Sequence, residues 1–157
     1  MKVIILSKNE IKEIIEHFIS YGQNDFIVFE EGKSVFGDED YTYYRLNGVN
    51  VVSIQAFPFE GAFSKLSKIK GSINGRLAVV YSSAICDYDI DSLLIFHNSH
   101  QGIATLVEEK EKRIISSVIF EQEVLDYFHL GNNLEREILK RIGQDCEMEI
   151  YRQKRND

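Results

Sequence analysis

Asp87, Asp89 and Asp91 alternate along the stretch CDYDIDS. Carboxylates at this spacing open a calcium loop, in which the chain wraps oxygen ligands around one cation. The rest of that loop is missing. Ser92 stands where the sharp turn needs glycine, and Asn98 where a bidentate glutamate closes the site. A simpler role for these acids is at the start of a helix, whose unpaired N–H groups and dipole both favour negative charge. His97 and His100 lie three apart and could face one metal from a helix, but no third ligand accompanies them. His97 also falls on an apolar stripe, so a hydrogen-bonded, partly buried pair is the expectation. Ser82 and Ser83 follow an apolar run, at a strand end where function often gathers, but no G-x-S-x-G surrounds them. Lys65, Lys68, Lys70 and Arg76 read as a solvated face, with a phosphate site as the alternative. The turn Ser7-Lys8-Asn9-Glu10 has no glycine, so its backbone cannot wrap a pyrophosphate as dinucleotide-binding and P-loop turns do.

The elements that must hold these residues are organised around Gly75 to Leu106. Leu77 to Tyr81 reads as a buried strand. Asp89 to His100 carries Ile90, Leu93, Leu94 and His97 at helical spacing, Gly102 closes that segment, and Ile103 to Val107 begins another strand. Strand, turn, helix and strand make a βαβ unit. The first thirty or so residues make a second one. Val3 to Leu6 is a strand buried on both faces, Ser7 and Glu10 have capping-box spacing, and Ile11, Ile14, Ile15 and Phe18 form a stripe that Gly22 ends. Phe26 to Phe29 is the next strand. Glu30 to Asn50 keeps no steady period, and loops with an edge strand over Tyr41 to Leu46 are expected. Val49 to Ala56 alternates as a strand, and Pro58 ends its pairing. Glu60 to Asn74 is expected to hold a short strand and turns.

After the charged turn EEKEKR, Ile114 to Phe120 is a strand, and Val124, Leu125 and Phe128 mark a short helix beginning near Glu121 and broken at Gly131 and Asn132. Leu134, Ile138, Leu139 and Ile142 stripe a last helix, with Asn133 as its cap and Gly143 as its stop, before a final strand over Met148 to Tyr151. The expected fold is therefore α/β: three layers, with a mostly parallel sheet and helices on both faces, Rossmann-like. Residues 1–151 form one domain and 152–157 a solvated tail.

Composition narrows the function classes. At 157 residues, 44% hydrophobic and 27% charged, the chain suits one globular core. A formal net charge of −7 repels nucleic-acid phosphates, so no nucleic-acid partner is expected. No apolar run approaches the ~18 residues that cross a bilayer, and Met1 to Leu6 is too short for a signal peptide. Cys86 and Cys146 have no metal-type spacing and read as reduced thiols, which places the chain in the cytoplasm.

Three blocks carry a resemblance. IKEIIEHFISYGQNDFIVF, then GRLAVVYSSAICDYDIDSLLIFHNSHQGIATLV, and finally EEKEKRIISSVIFEQEVLDYF with LEREILKRI and MEIYR fall in the order of sugar-phosphate nucleotidyltransferases. The middle block resembles YGDGVSDVDIDxLIxFHxSHGxxATV of the glucose-1-phosphate cytidylyltransferase-like group. The resemblance implies a nucleotidyltransferase or GT-A-like architecture in compressed form. It also implies a ligand-binding edge at Ser82, Ser83, Asp87 and Asp89. Against the family pattern, the glycine-rich loop after the first strand is replaced by a short cap. Ser83 stands at the metal-binding aspartate, and the sugar-binding region after the ATV-like strand is reduced. A hydroxyl is a poor magnesium ligand beside a carboxylate.

The reading that follows is a non-catalytic, degenerate member, without catalytic residues, metal or cofactor. It would act through a protein partner or self-association, in sugar-nucleotide or surface-polysaccharide metabolism. Two alternatives stand beside it. One is a minimal sugar-1-phosphate nucleotidyltransferase holding magnesium on Asp87 or Asp89, since an Asp-x-Asp pair also holds metal and sugar nucleotide in many glycosyltransferases. The other is a sensor that binds a nucleotide or sugar phosphate near Ser82 and Ser83 without converting it.

Overall fold

A computed structural model describes residues 1–109, 111–127, 135–145 and 147–152. Its elements are β1 (Lys2–Ile5), α1 (Ile11–Ser20), β2 (Asp25–Glu30), α2 (Asp38–Leu46), β3 (Asn50–Gln55), α3 (Ala62–Lys68), β4 (Leu77–Val80), α4 (Ile90–Ser99), β5 (Ala104–Glu108), β6 (Ile115–Phe120), α5 (Glu135–Gln144) and β7 (Met148–Arg152). Short 3-10 turns cover Lys70–Ser72, Ser83–Asp87 and Gln122–Tyr127. The strands form one seven-stranded sheet in the order β3-β2-β1-β4-β6-β5-β7. Only β6 runs antiparallel to its neighbours.

Strands covered on both faces must be apolar along their buried length, and β1 (KVII, past its half-buried Lys2) and β4 (LAVV) are. On one face Ile14, Ile15 and Phe18 of α1, Tyr44 of α2, and Ile90 and Leu93 of α4 pack with Val3, Ile5, Phe26, Val28, Ala78 and Val80. On the other, Phe63 and Leu66 of α3 and Ile142 of α5 pack with Ile4, Ile27, Phe29, Leu77 and Val79. This is the three-layer α/β architecture that the strand and helix patterns predict. No helix among the described residues is long and apolar enough to cross a membrane.

Several local expectations are corrected. Tyr41 to Leu46 is not an edge strand but most of α2. The Gly37 N–H donates to Asp40 Oδ2 at 2.9 Å, Asp38, Glu39 and Asp40 crowd the positive end of the helix, and Tyr41 and Tyr44, one turn apart, both pack on Phe36. Glu60 to Asn74 contains α3 and a 3-10 turn instead of a strand, because Ala62, Phe63 and Leu66 recur at helical spacing and are buried together. Ser7 and Glu10 do not form a capping box. The Ser7 hydroxyl bonds to Asn9, and Glu10 enters α1 with a left-handed φ of 55° and no side-chain cap. Gly143 does not stop α5, which continues to Gln144. Its missing side chain leaves room for Met148, whose Cε would lie 3.2 Å from an added Cβ. Gly22 does end α1's turn as expected, at φ +83°. The expectations for Phe128, Gly131, Asn132, Asn133, Leu134 and Cys146, and for the tail beyond Arg152, lie outside the described residues.

The βαβ unit of Gly75 to Leu106 exists but is split. β5 does not lie beside β4, because β6 returns from the turn after Glu108 and inserts between them. Arg113 takes a left-handed φ of 51° in that turn, and the Glu109 N–H donates to the Ile114 carbonyl at 2.9 Å. Gly102 marks the tightest approach at the start of β5. A Cβ there would sit 2.7 Å from the Glu147 carbonyl oxygen, which itself accepts from the Ala104 N–H at 3.0 Å. Gly102→Ala must therefore push β7 off β5. We expect it to lower the urea-unfolding free energy by about 1–3 kcal/mol.

Candidate functional site

In an open α/β sheet, ligands bind beyond the carboxyl ends of the strands where the chain reverses its direction of winding. Here that point lies between β1 and β4, since β2 and β3 extend the sheet one way and β4, β6, β5 and β7 the other. β1 and β4 pair from Lys2↔Leu77 to Ile5↔Val80. Directly beyond, the Leu6 and Ser7 N–H groups both donate to the Val80 carbonyl, at 2.9 and 3.2 Å. The Asn9 N–H turns back onto Ser7 Oγ at 3.3 Å, and that hydroxyl donates to the Asn9 carbonyl at 2.9 Å. Ser7 is only 5% exposed. The turn after β1 thus spends these groups within itself and on β4.

The chain leaving β4 is held just as closely. The Tyr81 and Ser82 N–H groups donate to the Ser116 carbonyl, at 2.9 and 3.1 Å. Ser82 Oγ accepts from the Ala84 N–H at 3.3 Å, and Ser83 begins the 3-10 turn that packs against α1. Tyr88, buried after that turn, presents its carbonyl to His17 Nε2 at 2.7 Å and donates its hydroxyl to the Glu108 carbonyl at 3.0 Å. Burial raises the Tyr88 pKa.

Of the four predicted ligand residues, Ser82 and Ser83 are half-buried at this edge, whereas Asp87 and Asp89 are exposed. Asp89 is the N-cap of α4, with its Oδ1 accepting from the Ser92 N–H at 3.1 Å. Ser83 is neutral, Asp89 Oδ1 is engaged by the helix end, and among the described residues no group of three His, Cys, Asp or Glu side chains gathers around a cation.

Sequence reasoning missed the charged group at this edge. Glu31, just past β2, pairs with Lys8 at 3.0 Å and with Lys65 at 3.9 Å. Lys65 is only 7% exposed, which corrects its reading as part of a solvated face. The signal was available: Lys65 shares α3 with Ala62, Phe63 and Leu66 and so must turn inward with them. Glu30 beside it is 4% exposed and accepts from the Val35 N–H and, at 3.4 Å, from Ser53 Oγ. Lys68 pairs with Glu60 and lies 4.8 Å over the Phe57 ring. These contacts hold Glu60 below the usual carboxylate range, the Lys68 hydrogen bond first among them.

The two histidines face each other through Thr105, at the opposite edge of the sheet. The Gly102 N–H donates to His100 Nδ1 at 3.0 Å, so that nitrogen is an acceptor. In the neutral ring the Nε2–H of His100 then donates to Thr105 Oγ1, 2.6 Å away. The Thr105 hydroxyl passes its own proton to His97 Nδ1 at 2.6 Å, and the Nε2–H of His97 donates to Glu121 Oε1 at 2.8 Å. Arg76 completes the chain with bonds to Glu121 and Asn98. Every donor direction follows from the one backbone N–H. Burial holds His97 below the ordinary imidazole pKa, against the pull of Glu121 and with the help of Arg76's charge. Burial would raise Glu121, but the hydrogen bonds from His97 and Arg76 outweigh it and leave Glu121 lowered.

No family model matches the chain, and no curated protein matches it in sequence. Solved structures do match. A Bacillus anthracis protein assigned as a glucose-1-phosphate thymidylyltransferase, in complex with a sucrose, superposes with a TM-score of 0.71 at 10% identity, over 98% of this chain and 86% of that one. A 4-diphosphocytidyl-2C-methyl-D-erythritol synthase from Anaerococcus prevotii gives 0.61 at 8%, over 98% and 88%. A cytidylyltransferase from Leptospira borgpetersenii gives 0.59 at 11%, over 99% and 76%. The chain has the nucleotidyltransferase fold over nearly its whole length. At these identities it is the fold that is shared.

Two outcomes follow from this geometry. Asp89→Ala should cost about 1 kcal/mol in urea unfolding while Asp89→Asn keeps most of the cap, a pattern that a metal ligand would not give. In the unfolded chain His97 takes up a proton at the ordinary imidazole pKa, and in the folded chain only at a lower pH. Stability should therefore be steady above about pH 6.5 and fall as the pH drops from there through the depressed folded-state pKa. Glu121 should extend that loss at still lower pH, and His97→Gln should flatten the first part of the slope in thermal melts run as a pH series.

Proposed function

We propose that this chain is a non-catalytic protein of the nucleotidyltransferase fold that acts by binding a protein, itself included, in sugar-nucleotide or surface-polysaccharide metabolism. The observation that carries this reading is the turn between β1 and α1. Nucleotidyl transfer needs phosphates held and their charge neutralised while an oxygen attacks in line. In this turn the N–H groups of Leu6, Ser7 and Asn9 are already bonded to Val80 and Ser7. Lys8 reaches Glu31, so the nearest cation is paired. Of the acids that an enzyme would use for magnesium, Asp89 serves the N-terminal end of α4. On this reading the family's apolar faces and helix ends remain, and its phosphate-gripping parts have been lost.

The sensor reading has one observation in its favour. Lys8 and Lys65 both reach Glu31, so two cations gather on one carboxylate just past β2. A phosphorylated small molecule bound there without turnover would stabilise the fold by about 2.7 kcal/mol at a hundred times its dissociation constant.

The deciding measurement is pyrophosphate release from the full chain with the common nucleoside triphosphates, sugar 1-phosphates and magnesium. No release above the blank is expected. Steady release, abolished by Asp89→Asn, establishes the enzyme instead. Thermal melts with the same panel, unshifted for the binding role and shifted for the sensor, separate the other two.

A further inference from the structure

β3 closes one end of the sheet, and among the described residues no strand pairs with its outer edge. Natural edge strands guard against pairing with other chains by carrying charge, proline or a bulge. The opposite edge strand, β7, does so with Glu149 and Arg152. β3, NVVSIQ, does not: no charged residue stands from Asn47 to Phe59, and the six residues of β3 pair with β2 without interruption. The Asn50 and Ala56 N–H groups point to β2, donating to the Asn24 and Glu30 carbonyls. By the two-residue alternation of a strand, the backbone groups of Val51, Ser53 and Gln55 point outward.

Beside this edge runs an open groove of about 560 Å³, walled by α2 and by residues Gly48 to Val51. Asp38, Thr42 and Arg45 line it, at spacings of four and three along one face of the helix. Asp38 and Arg45 are about two turns apart and opposite in charge. Neither side chain has a hydrogen bond or ion pair among the described residues, whereas Asp40, facing α1, is paired with Lys12 at 3.2 Å. Tyr41 Oη, 2.6 Å from Ser53 Oγ, sets the middle of α2 level with the middle of β3.

We propose that β3 pairs antiparallel with β3 of a second copy of this chain, about a twofold axis through Ser53. This rests on the binding role argued above and names its partner. A twofold perpendicular to the sheet keeps each face on its own side. It matches Val51 with Gln55 of the second copy and Val52 with Ile54, and joins the two sheets into one. The same axis lays the two α2 helices antiparallel across the seam. Asp38 of each copy then comes opposite Arg45 of the other, twice by symmetry. That reciprocal charge match favours a second copy over an unrelated strand. In a chain of net charge −7, it also sets opposite charges face to face at the seam.

Sedimentation of the full chain over a dilution series tests this, with circular dichroism to confirm that each variant folds. The wild-type chain is expected to be a dimer. Asp38→Arg and Arg45→Asp, each placing like charges face to face twice, should weaken dimerisation at least about tenfold. The double variant D38R/R45D should restore it, and Val52→Lys should give a monomer. A monomer at every wild-type concentration overturns the proposal and leaves the edge to a strand from another protein. A dimer that survives either single reversal, or a double reversal that stays monomeric, overturns it too. None of these results bears on pyrophosphate release, so the pairing can fail while the non-catalytic reading stands, and the reverse.

Discussion

The Val80 carbonyl is the point on which the carboxyl edge of this molecule turns. It accepts from two successive N–H groups, those of Leu6 and Ser7, just beyond the last paired residues of β1 and β4. Both strands are buried on both faces, so neither can shift register without moving apolar side chains into misfit. The turn that follows β1 is therefore short, tied down and folded onto its own serine. A loop able to wrap phosphates needs free N–H groups and close backbone approach. At this junction the N–H groups of Leu6, Ser7 and Asn9 are spent on Val80 and Ser7.

The same economy of polar groups recurs elsewhere. Asp89 satisfies the start of α4, Asp40 the start of α2, and the His100-Thr105-His97-Glu121-Arg76 chain satisfies one another's donors and acceptors in sequence. A buried polar group left unmet costs more than a met one gains, so such chains persist once formed. On the outer face, Asp38 and Arg45 of α2 have no such partner among the described residues, and they lie beside an edge strand without charge. That complementary couple beside an unprotected edge is the surface on which the proposed association would act.

The solved structures of the same fold are only 8–11% identical to this chain. Such different sequences can build one fold because it asks for residue classes: apolar at residues 3–5 of β1, 26–29 of β2 and 77–80 of β4, apolar stripes on the helices, acids at helix starts. Chemistry asks for particular residues at particular places, and it can be lost without disturbing the layers.

The sequence by itself determined the layers. The unbroken runs of β1 and β4, the stripe Ile11, Ile14, Ile15 and Phe18, and Asp89 ahead of α4 were all legible, because burial on one or both faces imposes a period on the residues that share it. It did not determine neighbours. That β6 lies between β4 and β5, and that the inward Lys65 meets Glu31, depend on residues distant in the chain. So does the closing of His97 onto Glu121 and Arg76. Periodicity records which side of an element is covered, and only the assembled sheet decides by what.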